Sequence, residues 1–383
     1  MVNSVPDVET LLGGLGAEQF LNDYWQKRPL RIIQAWPNVR TPLSVEELAG
    51  LSCEEGVESR LVTFNNNQWS VRNGPHSEAS FTSLSDSNWT LLVPDCEKYL
   101  PELQQFIDPF RFIPNWRIDD LMISYATDGG GVGPHLDEYD VFLLQLEGTR
   151  HWQINPQLAD ASLRDDCELA ILENFSATES WTLEAGDMLY LPPGVAHDGV
   201  AMGNCFTASI GFRAPLANNL AMDFASHLAQ QAPLRYTDQN LSPTKQAAEL
   251  RDTDLIALAD SIQQVFTNQS ELPKWAGEFL TTSSSSSSEH ANTISKDAFK
   301  LALAEKTALT KSPWSKLLYY RGATELTLFA DAVSFPIGID YLSVIQTICN
   351  TKKISFEQSH LNDKEVLNLL YDLYLQGTLL LDT

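Results

Sequence analysis

Basic residues are scarce in this chain, and long apolar runs are missing altogether. Only 25 Lys and Arg stand against 50 Asp and Glu, a net charge of -25 with a pI near 4.5. Such a surface repels phosphate backbones, which argues against direct nucleic-acid binding and favours a basic partner. The imbalance is local: residues 1–288 hold 16 basic against 39 acidic side chains, residues 290–383 hold 9 against 10. An acidic surface that only keeps the protein dispersed would read the same way. No run of eighteen apolar residues exists, and the start, MVNSVPDVETLLGG, has neither a basic nor an apolar leader segment. Neither a signal peptide nor a membrane span is expected, and the sequence predicts a cytoplasmic protein. Five cysteines, odd in number, scattered and without a Cys-x-x-Cys pair, disfavour a disulfide framework and a cysteine zinc site and read as reduced thiols. A chain of 383 residues with 43% hydrophobic content is long enough for two or three domains.

What is present concentrates between Gly129 and Trp152, GGGVGPHLDEYDVFLLQLEGTRHW. His135 and Asp137 are two residues apart, so an extended backbone puts both on one face. A third ligand is offered by His197, where an apolar strand from Met188 to Leu191 runs into a Pro-Pro-Gly turn. Two histidines and one carboxylate form the facial triad of non-haem iron(II) oxygenases, which leaves coordination positions open. Arg150 is expected to return along a neighbouring strand after a Glu147-Gly148-Thr149 turn, pointing into the same cavity. A buried guanidinium there suits a dicarboxylate, which it can grip with two parallel hydrogen bonds. His151, its neighbour, must face the other way. Taken singly, each piece has a plainer reading: a surface His-x-Asp pair, a strand arginine, a β-helix of any function.

Together, His-Leu-Asp, Arg150 at its spacing, and the Gly-Asp-x-x-x-x-Pro-x-Gly-x-x-His pattern from Gly186 to His197 resemble the cupin-type JmjC 2-oxoglutarate oxygenases. Within them, GGGVGPHLDEYDVFLLQ with an arginine anchor resembles the bacterial ribosomal oxygenases of the YcfD (RoxA) type. The resemblance implies an α+β chain: a double-stranded β-helix (cupin/JmjC jelly roll), a helical dimerisation region and a C-terminal winged-helix-like domain. It implies Fe(II), with 2-oxoglutarate and O2 as cosubstrates, and hydroxylation of an arginine in a basic ribosomal protein, number sixteen of the large subunit. Ser124 and Ser209 are candidates for the cosubstrate, or are packed strand serines. Asp128, Glu138 and Tyr139 flank the ligands and are candidates for a guanidinium substrate, with at most one of Glu138 and Tyr139 facing the iron.

Along the chain, a helix is expected at Ala17 to Gln26, an extended segment at Pro29 to Gln34, and strands at Arg60 to Phe64, Gln68 to Arg72 and Trp89 to Val93. A short helix is expected at Tyr99 to Ile107. From Arg117 strands dominate: Leu121 to Ala126, Val141 to Leu146, Met188 to Leu191, Phe206 to Phe212. Residues 1–215 form the expected catalytic domain, with its core at 117–213. Helices follow at Asn218 to Gln231 and Leu255 to Val265 within 216–282, their apolar stripes covered by the β domain or by a second copy; the resemblance implies the homodimer. Residues 283–289 read as a Ser-rich linker. The last segment, 290–383, should hold helices at Ile294 to Leu309, Ile339 to Asn350 and Lys364 to Leu375, a hairpin at Glu325 to Phe335 and a strand at Thr378 to Leu381. Without a basic stripe beyond Lys352 and Lys353, it suits a structural or protein-contacting role.

The expected product chemistry is insertion of one oxygen into a C–H bond, with succinate and carbon dioxide released. Three alternatives stand beside it: a non-oxidative metal cupin such as an isomerase, an N-methyl demethylase with the same iron chemistry, and a non-catalytic acidic adaptor for basic ribosomal proteins.

Overall fold

Residues 118–212 supply the longest strands of the molecule, and both faces of those strands are lined by buried side chains. The computed structural model describes residues 4–213, 215–231, 235–237, 241–243, 245–267, 269–282, 294–305, 308–356 and 358–382. The expected Ser-rich linker, 283–289, lies outside the described residues. Contacts divide the chain into two units, Met1–Ala214 and Pro215–Thr383, each with its own core.

The first unit opens with short helices α1 (Val8–Leu11) and α2 (Ala17–Asp23). Helix α2 is three residues shorter than the expected helix, and Gln26 beyond it has φ +57. After β1 (Leu30–Ile32), helix α3 (Val45–Leu51) starts on a capping box between Ser44 and Glu47, which satisfies two otherwise unpaired amides. Strands β2 (Arg60–Asn65) and β3 (Gln68–Asn73) form the expected hairpin, with Asn66 and Asn67 both at positive φ in the turn. Helix α4 (Glu78–Thr82), strand β4 (Trp89–Val93) and helix α5 (Cys96–Tyr99) follow. The helix expected at Tyr99 to Ile107 is instead a 3-10 stretch, Pro101–Phe106. Strands β5 (Ile118–Ala126), β6 (Asp140–Asn155), β7 (Glu179–Glu184), β8 (Met188–Leu191) and β9 (Ala196–Phe212) complete the unit. They form one 9-stranded sheet in the order β1-β8-β6-β9-β5-β4-β2-β3, with β7 also paired to β6.

Strand β6 departs from expectation in a way that matters for the site. The Glu147-Gly148-Thr149 segment is not a turn, and Arg150 does not return along a neighbouring strand. The strand runs on, with irregular register on either side of Glu147 against β9, and Gly148 there takes φ +69. A Cβ at Gly148 would meet the Asn204 carbonyl at 2.2 Å, so only glycine fits. The irregularity switches the alternation. Val141, Leu143 and Gln145 face inward before it, and Arg150, Trp152 and Ile154 face inward after it. Likewise Phe206–Phe212 is not a separate strand but the far half of β9, which also carries His197.

The two faces differ in content. The outer face, Phe142, Leu144, Leu121, Ile123, Ile210 and Phe212, packs on the N-terminal helices through a ring cluster that includes Phe20, Phe110 and Tyr190. At its edge the buried Asp140 carboxylate accepts from the Tyr190 hydroxyl (2.7 Å), Gln26 Nε2 (2.9 Å) and Arg117 Nη2 (3.0 Å). The inner face holds Val141, Leu143, Trp152, Ile154, Leu183, Leu189 and Leu191.

The second unit contains helices α6 (Ala217–Gln231), α7 (Asp252–Val265) and α8 (Leu272–Leu280). Phe224 and Leu228 of α6 pack against Trp275 of α8. Beyond them come α9 (Lys296–Ala304), β10 (Leu309–Lys311), the antiparallel sheet β11 (Leu317–Arg321), β12 (Glu325–Ala330) and β13 (Val333–Gly338), α10 (Leu342–Asn350), β14 (Lys353–Ile354), α11 (Gln358–Asn362), α12 (Lys364–Leu375) and β15 (Leu379–Leu381). The helix expected across Ile294 to Leu309 starts later, where the Ser295 hydroxyl accepts from the Ala298 amide, and its last expected residue opens a strand instead. Helix α8 lies on the three-stranded sheet: a Cβ at Gly277 would meet the Phe329 ring at 2.3 Å. Among the described residues, no helix is long and apolar enough to cross a membrane.

Candidate active site

The loop from Gly129 to His135 runs beside β9 like a ragged extra strand. Gly129 N donates to the Ala201 carbonyl (2.9 Å), Ala201 N to Gly130 (2.9 Å), and His135 exchanges two 3.0 Å backbone bonds with His197. This pairing, and not simple strand alternation, sets the two imbidazoles side by side, with ring centroids 4.2 Å apart. Asp137 is held by its carbonyl, which accepts from the Gly194 amide at the end of the Pro-Pro-Gly turn (2.8 Å).

The ligand-type atoms of His135, Asp137 and His197 all lie within 4.8 Å of one another. Asp137 Oδ2 is 3.6 Å from His197 Nε2 and 3.9 Å from His135 Nε2, too long for hydrogen bonds but short enough for one ion about 2.1 Å from each. Each imidazole also offers the right nitrogen. His135 Nδ1 lies 2.8 Å from the Gly133 carbonyl and His197 Nδ1 2.9 Å from the Val195 carbonyl, contacts that place a proton on Nδ1 and leave Nε2 as the electron-pair donor. Burial and the facing His135 ring hold the His197 pKa down to about 4, so the imidazole is neutral at physiological pH.

Arg150 is 5% exposed, and its Nε and Nη2 are buried without a hydrogen-bond partner. Unpaired buried guanidinium nitrogens are costly and uncommon, so they mark a place for an anion. Arg150 lies over the Trp152 ring (5.7 Å), and the Trp152 Nε1 is likewise buried and unpaired. Gly199 lets that ring lie flat against β9, since a Cβ there would meet it at 2.5 Å. Along β6, Arg150 stands four residues from Ile154, which faces His197 in the register. That is on the order of 13 Å of strand, within the combined reach of a long side chain and a small diacid. His151 faces the other way, with Nδ1 3.3 Å from the Thr182 hydroxyl.

Ser124 and Ser209 both lie on the inner face, 6% and 9% exposed, in a layer with Thr207 and Gln145. Thr207 Oγ1 donates to Gln145 Oε1 (3.1 Å), and Ser124 Oγ is 3.4 Å from the Thr207 carbonyl. Asp128 is elsewhere. Its carboxylate accepts from the Gly203 amide (2.7 Å), which caps the loop six residues along β9 from His197, on the order of 20 Å away on an extended strand. Glu138 is exposed, and Tyr139 is 38% exposed with burial of its hydroxyl and the Asp137 carboxylate both raising its pKa.

The sequence reading missed Asp120. It precedes Met122 and Ser124 on the inner face of β5, one oxygen 3.0 Å from where a Gly211 Cβ would sit. Burial, then the neighbouring Asp119 and Asp95, push its pKa up to about 7, and its field reaches Tyr139. Its signal lay in an Asp119-Asp120 pair leading an apolar strand, which alternation alone could not orient because the β5 register shifts between Ile118 and Leu121.

Residues 105–220 match the family model described as a JmjC domain, and residues 254–380 match the one described as a ROXA-like winged helix. Ribosomal protein uL16 3-hydroxylase of Escherichia coli (strain K12) is 37% identical over 269 residues, covering 69% of this chain and 71% of the relative. A probable ribosomal oxygenase of Haemophilus influenzae is 40% identical over 229 residues, covering 59% of this chain and 55% of the relative. The X-ray structure of E. coli YcfD superposes with a TM-score of 0.86 at 30% identity, over 96% of this chain and 98% of the other. A structure of that ribosomal oxygenase in complex with cobalt and 2-oxoglutarate superposes at 0.84, also at 30% identity, over 96% and 99%.

Proposed function

The chain belongs to the JmjC-domain ribosomal oxygenases with a ROXA-like winged helix, an α+β family of iron(II)- and 2-oxoglutarate-dependent protein hydroxylases, and from that premise we propose that it hydroxylates a side-chain carbon of an arginine in ribosomal protein uL16. In this reading His135, Asp137 and His197 hold the iron, and Arg150 binds the distal carboxylate of 2-oxoglutarate. The observation that carries it is the pairing, on one inner face, of a three-ligand cluster with a buried guanidinium whose Nε and Nη2 have no partner. Bound iron would let O2 oxidise 2-oxoglutarate and the substrate together: one oxygen atom would enter the C–H bond to give C–OH and the other the new carboxylate of succinate, with carbon dioxide released.

The residues of the chain then do the positioning. The two Nδ1 contacts fix which imidazole nitrogen faces the ion. Ser124 and Ser209 line the cosubstrate, Trp152 Nε1 offers it a further donor, and the leucine and isoleucine inner layer keeps bulk water away. Tyr139 and Asp120 are the best-placed groups for a guanidinium substrate, with Glu138 at the exposed rim; Asp128, tied to Gly203, has a loop-capping role in this reading.

We further infer a cytoplasmic homodimer. Helix α7 has no buried residue, and Leu255, Ile256, Leu258 and Ile262 are 44–63% exposed, an apolar stripe that a second copy would cover. In the proposed division, residues 1–215 are catalytic, 216–282 dimerise, 283–289 are a linker and 290–383 are the winged helix.

The direct test is mass spectrometry of purified uL16 after incubation with the enzyme, iron(II), ascorbate and 2-oxoglutarate. One added oxygen on a single arginine supports the proposal; succinate formation with unmodified uL16 would point to a different substrate.

A further inference from the structure

In a chain of net charge -25, one cavity of the first unit has the opposite balance. It has a volume of about 520 Å³, and its walls include Lys27, Arg28, Arg31, Gln157 and Trp181, with Glu179 as the lone carboxylate. None of its lining residues belongs to the triad or to the Arg150 pocket. The three cations make no ion pair among the described residues, with Glu179 or any other carboxylate, and two of them are held by neutral partners. The Lys27 ammonium donates to the Asn22 carbonyl, and Arg28 Nε donates to the Asp23 carbonyl (3.1 Å) while its guanidinium lies 4.3 Å over the Tyr24 ring. Neutral partners leave the charges uncompensated.

Arg31 is the sharpest of the three. It sits on β1, where pairing of Leu30, Arg31 and Ile32 with Tyr190, Leu189 and Met188 fixes the backbone. Its Nε is buried and has no hydrogen-bond partner. A buried donor left open, beside two further cations on a rigid edge, is the arrangement expected around an anion that completes the set. The cavity is much larger than one carboxylate, and three separated donors suit an ion with several charged oxygens.

We propose that this cavity is a second anion site, which binds a phosphate group through Arg31, Lys27 and Arg28, with Gln157 and the Trp181 indole against whatever the phosphate carries. The long-range field of the chain repels anions, but screening over about 8 Å at physiological salt leaves a local cluster of cations effective. The phosphate could come from a small phosphate ester or from the backbone of an RNA strand, and the test separates the two.

The experiment is calorimetric titration of the full chain, loaded anaerobically with iron(II) and saturating 2-oxoglutarate so that the metal is engaged. The probes are adenosine monophosphate, adenosine and a short single-stranded RNA. The nucleotide or the RNA binds saturably and adenosine does not. Arg31→Gln weakens that binding by about tenfold or more, the loss expected for a charge-assisted hydrogen bond, and Arg31→Lys by less. Tighter binding of RNA than of the nucleotide identifies a strand, and equal binding identifies a free ester. Arg31→Gln leaves succinate formation unchanged, which separates the effect from misfolding, and Glu179→Gln tightens binding by removing the one opposing charge. Absence of saturable binding to the unaltered protein, or equal binding by Arg31→Gln, overturns the proposal.

Discussion

The two faces of β5, β6 and β9 are made by the same strands and are both buried, yet they have opposite characters. On the outer face, apolar side chains meet apolar side chains, and the buried Asp140 carboxylate has three donors. On the inner face, His197, two serines, a threonine, a glutamine and an arginine are buried among leucines, and Arg150 Nε and Nη2 and Trp152 Nε1 have no hydrogen-bond partner. Satisfied burial stabilises the fold, whereas a buried unpaired charge such as the Arg150 guanidinium is costly and suits a site that receives an anion. The contrast predicts that substitutions on the two faces will fail in different ways.

The largest effect is expected at the cluster. Asp137→Ala should lower iron-dependent succinate formation by on the order of a thousandfold or more, through loss of one of the three proposed ligands, while thermal unfolding of the metal-free protein stays nearly unchanged. Activity and metal content measured on the same preparation check this. On the outer face, Phe142→Ala should cost about 3–5 kcal/mol of stability, because it empties a site packed against Phe110, Phe212 and Tyr190. Denaturant melts would show it, with the Michaelis constant for 2-oxoglutarate unchanged in the protein that remains folded.

A smaller and pH-dependent effect belongs to Asp120. Its pKa near 7 is raised above that of an unfolded aspartate, so the folded protein holds a proton that the unfolded chain has released. The stability this contributes is fully present below about pH 4 and is lost as pH rises through 7. Binding a guanidinium requires the ionised form. Affinity for the basic substrate should therefore rise between pH 6 and 8, and Asp120→Asn should flatten that rise and weaken binding by roughly tenfold. A pH-independent substrate affinity in the unaltered enzyme would remove Asp120 from the substrate pocket. The mildest expected effect is Ile262→Asp in α7, which should shift the chain from dimer to monomer in sedimentation while leaving succinate formation within about twofold.

How much of this was legible in the sequence depended on whether local chemistry decided the structure. The Asn65-Asn66-Asn67 turn and the Pro-Pro-Gly turn before His197 are fixed by residues within the turn itself, and the sequence predicts them. Arg150 was legible as a buried, inward-facing arginine but not as to route, since a bulge at Gly148 and a turn there have the same glycine signal. Only pairing with β9 distinguishes them. The closeness of His135 and His197 rests on a two-bond backbone bridge between residues 62 apart, which motif spacing implied and no local pattern could supply. Asp128 and Asp120 show how nearness in sequence and placement in the fold can differ. Proximity in sequence favoured Asp128, which the structure spends on the Gly203 amide, whereas Asp120 reaches the inner face through a register shift.

The most direct test of the contrast is the affinity of the iron-loaded protein for 2-oxoglutarate, measured anaerobically in the unaltered chain and in Arg150→Ala. If the unpaired guanidinium exists to receive the cosubstrate, the variant binds on the order of a hundredfold more weakly while retaining its iron and its fold. Equal affinity in the two proteins would contradict the account, because Arg150 would then be a buried unsatisfied cation with no ligand to explain it.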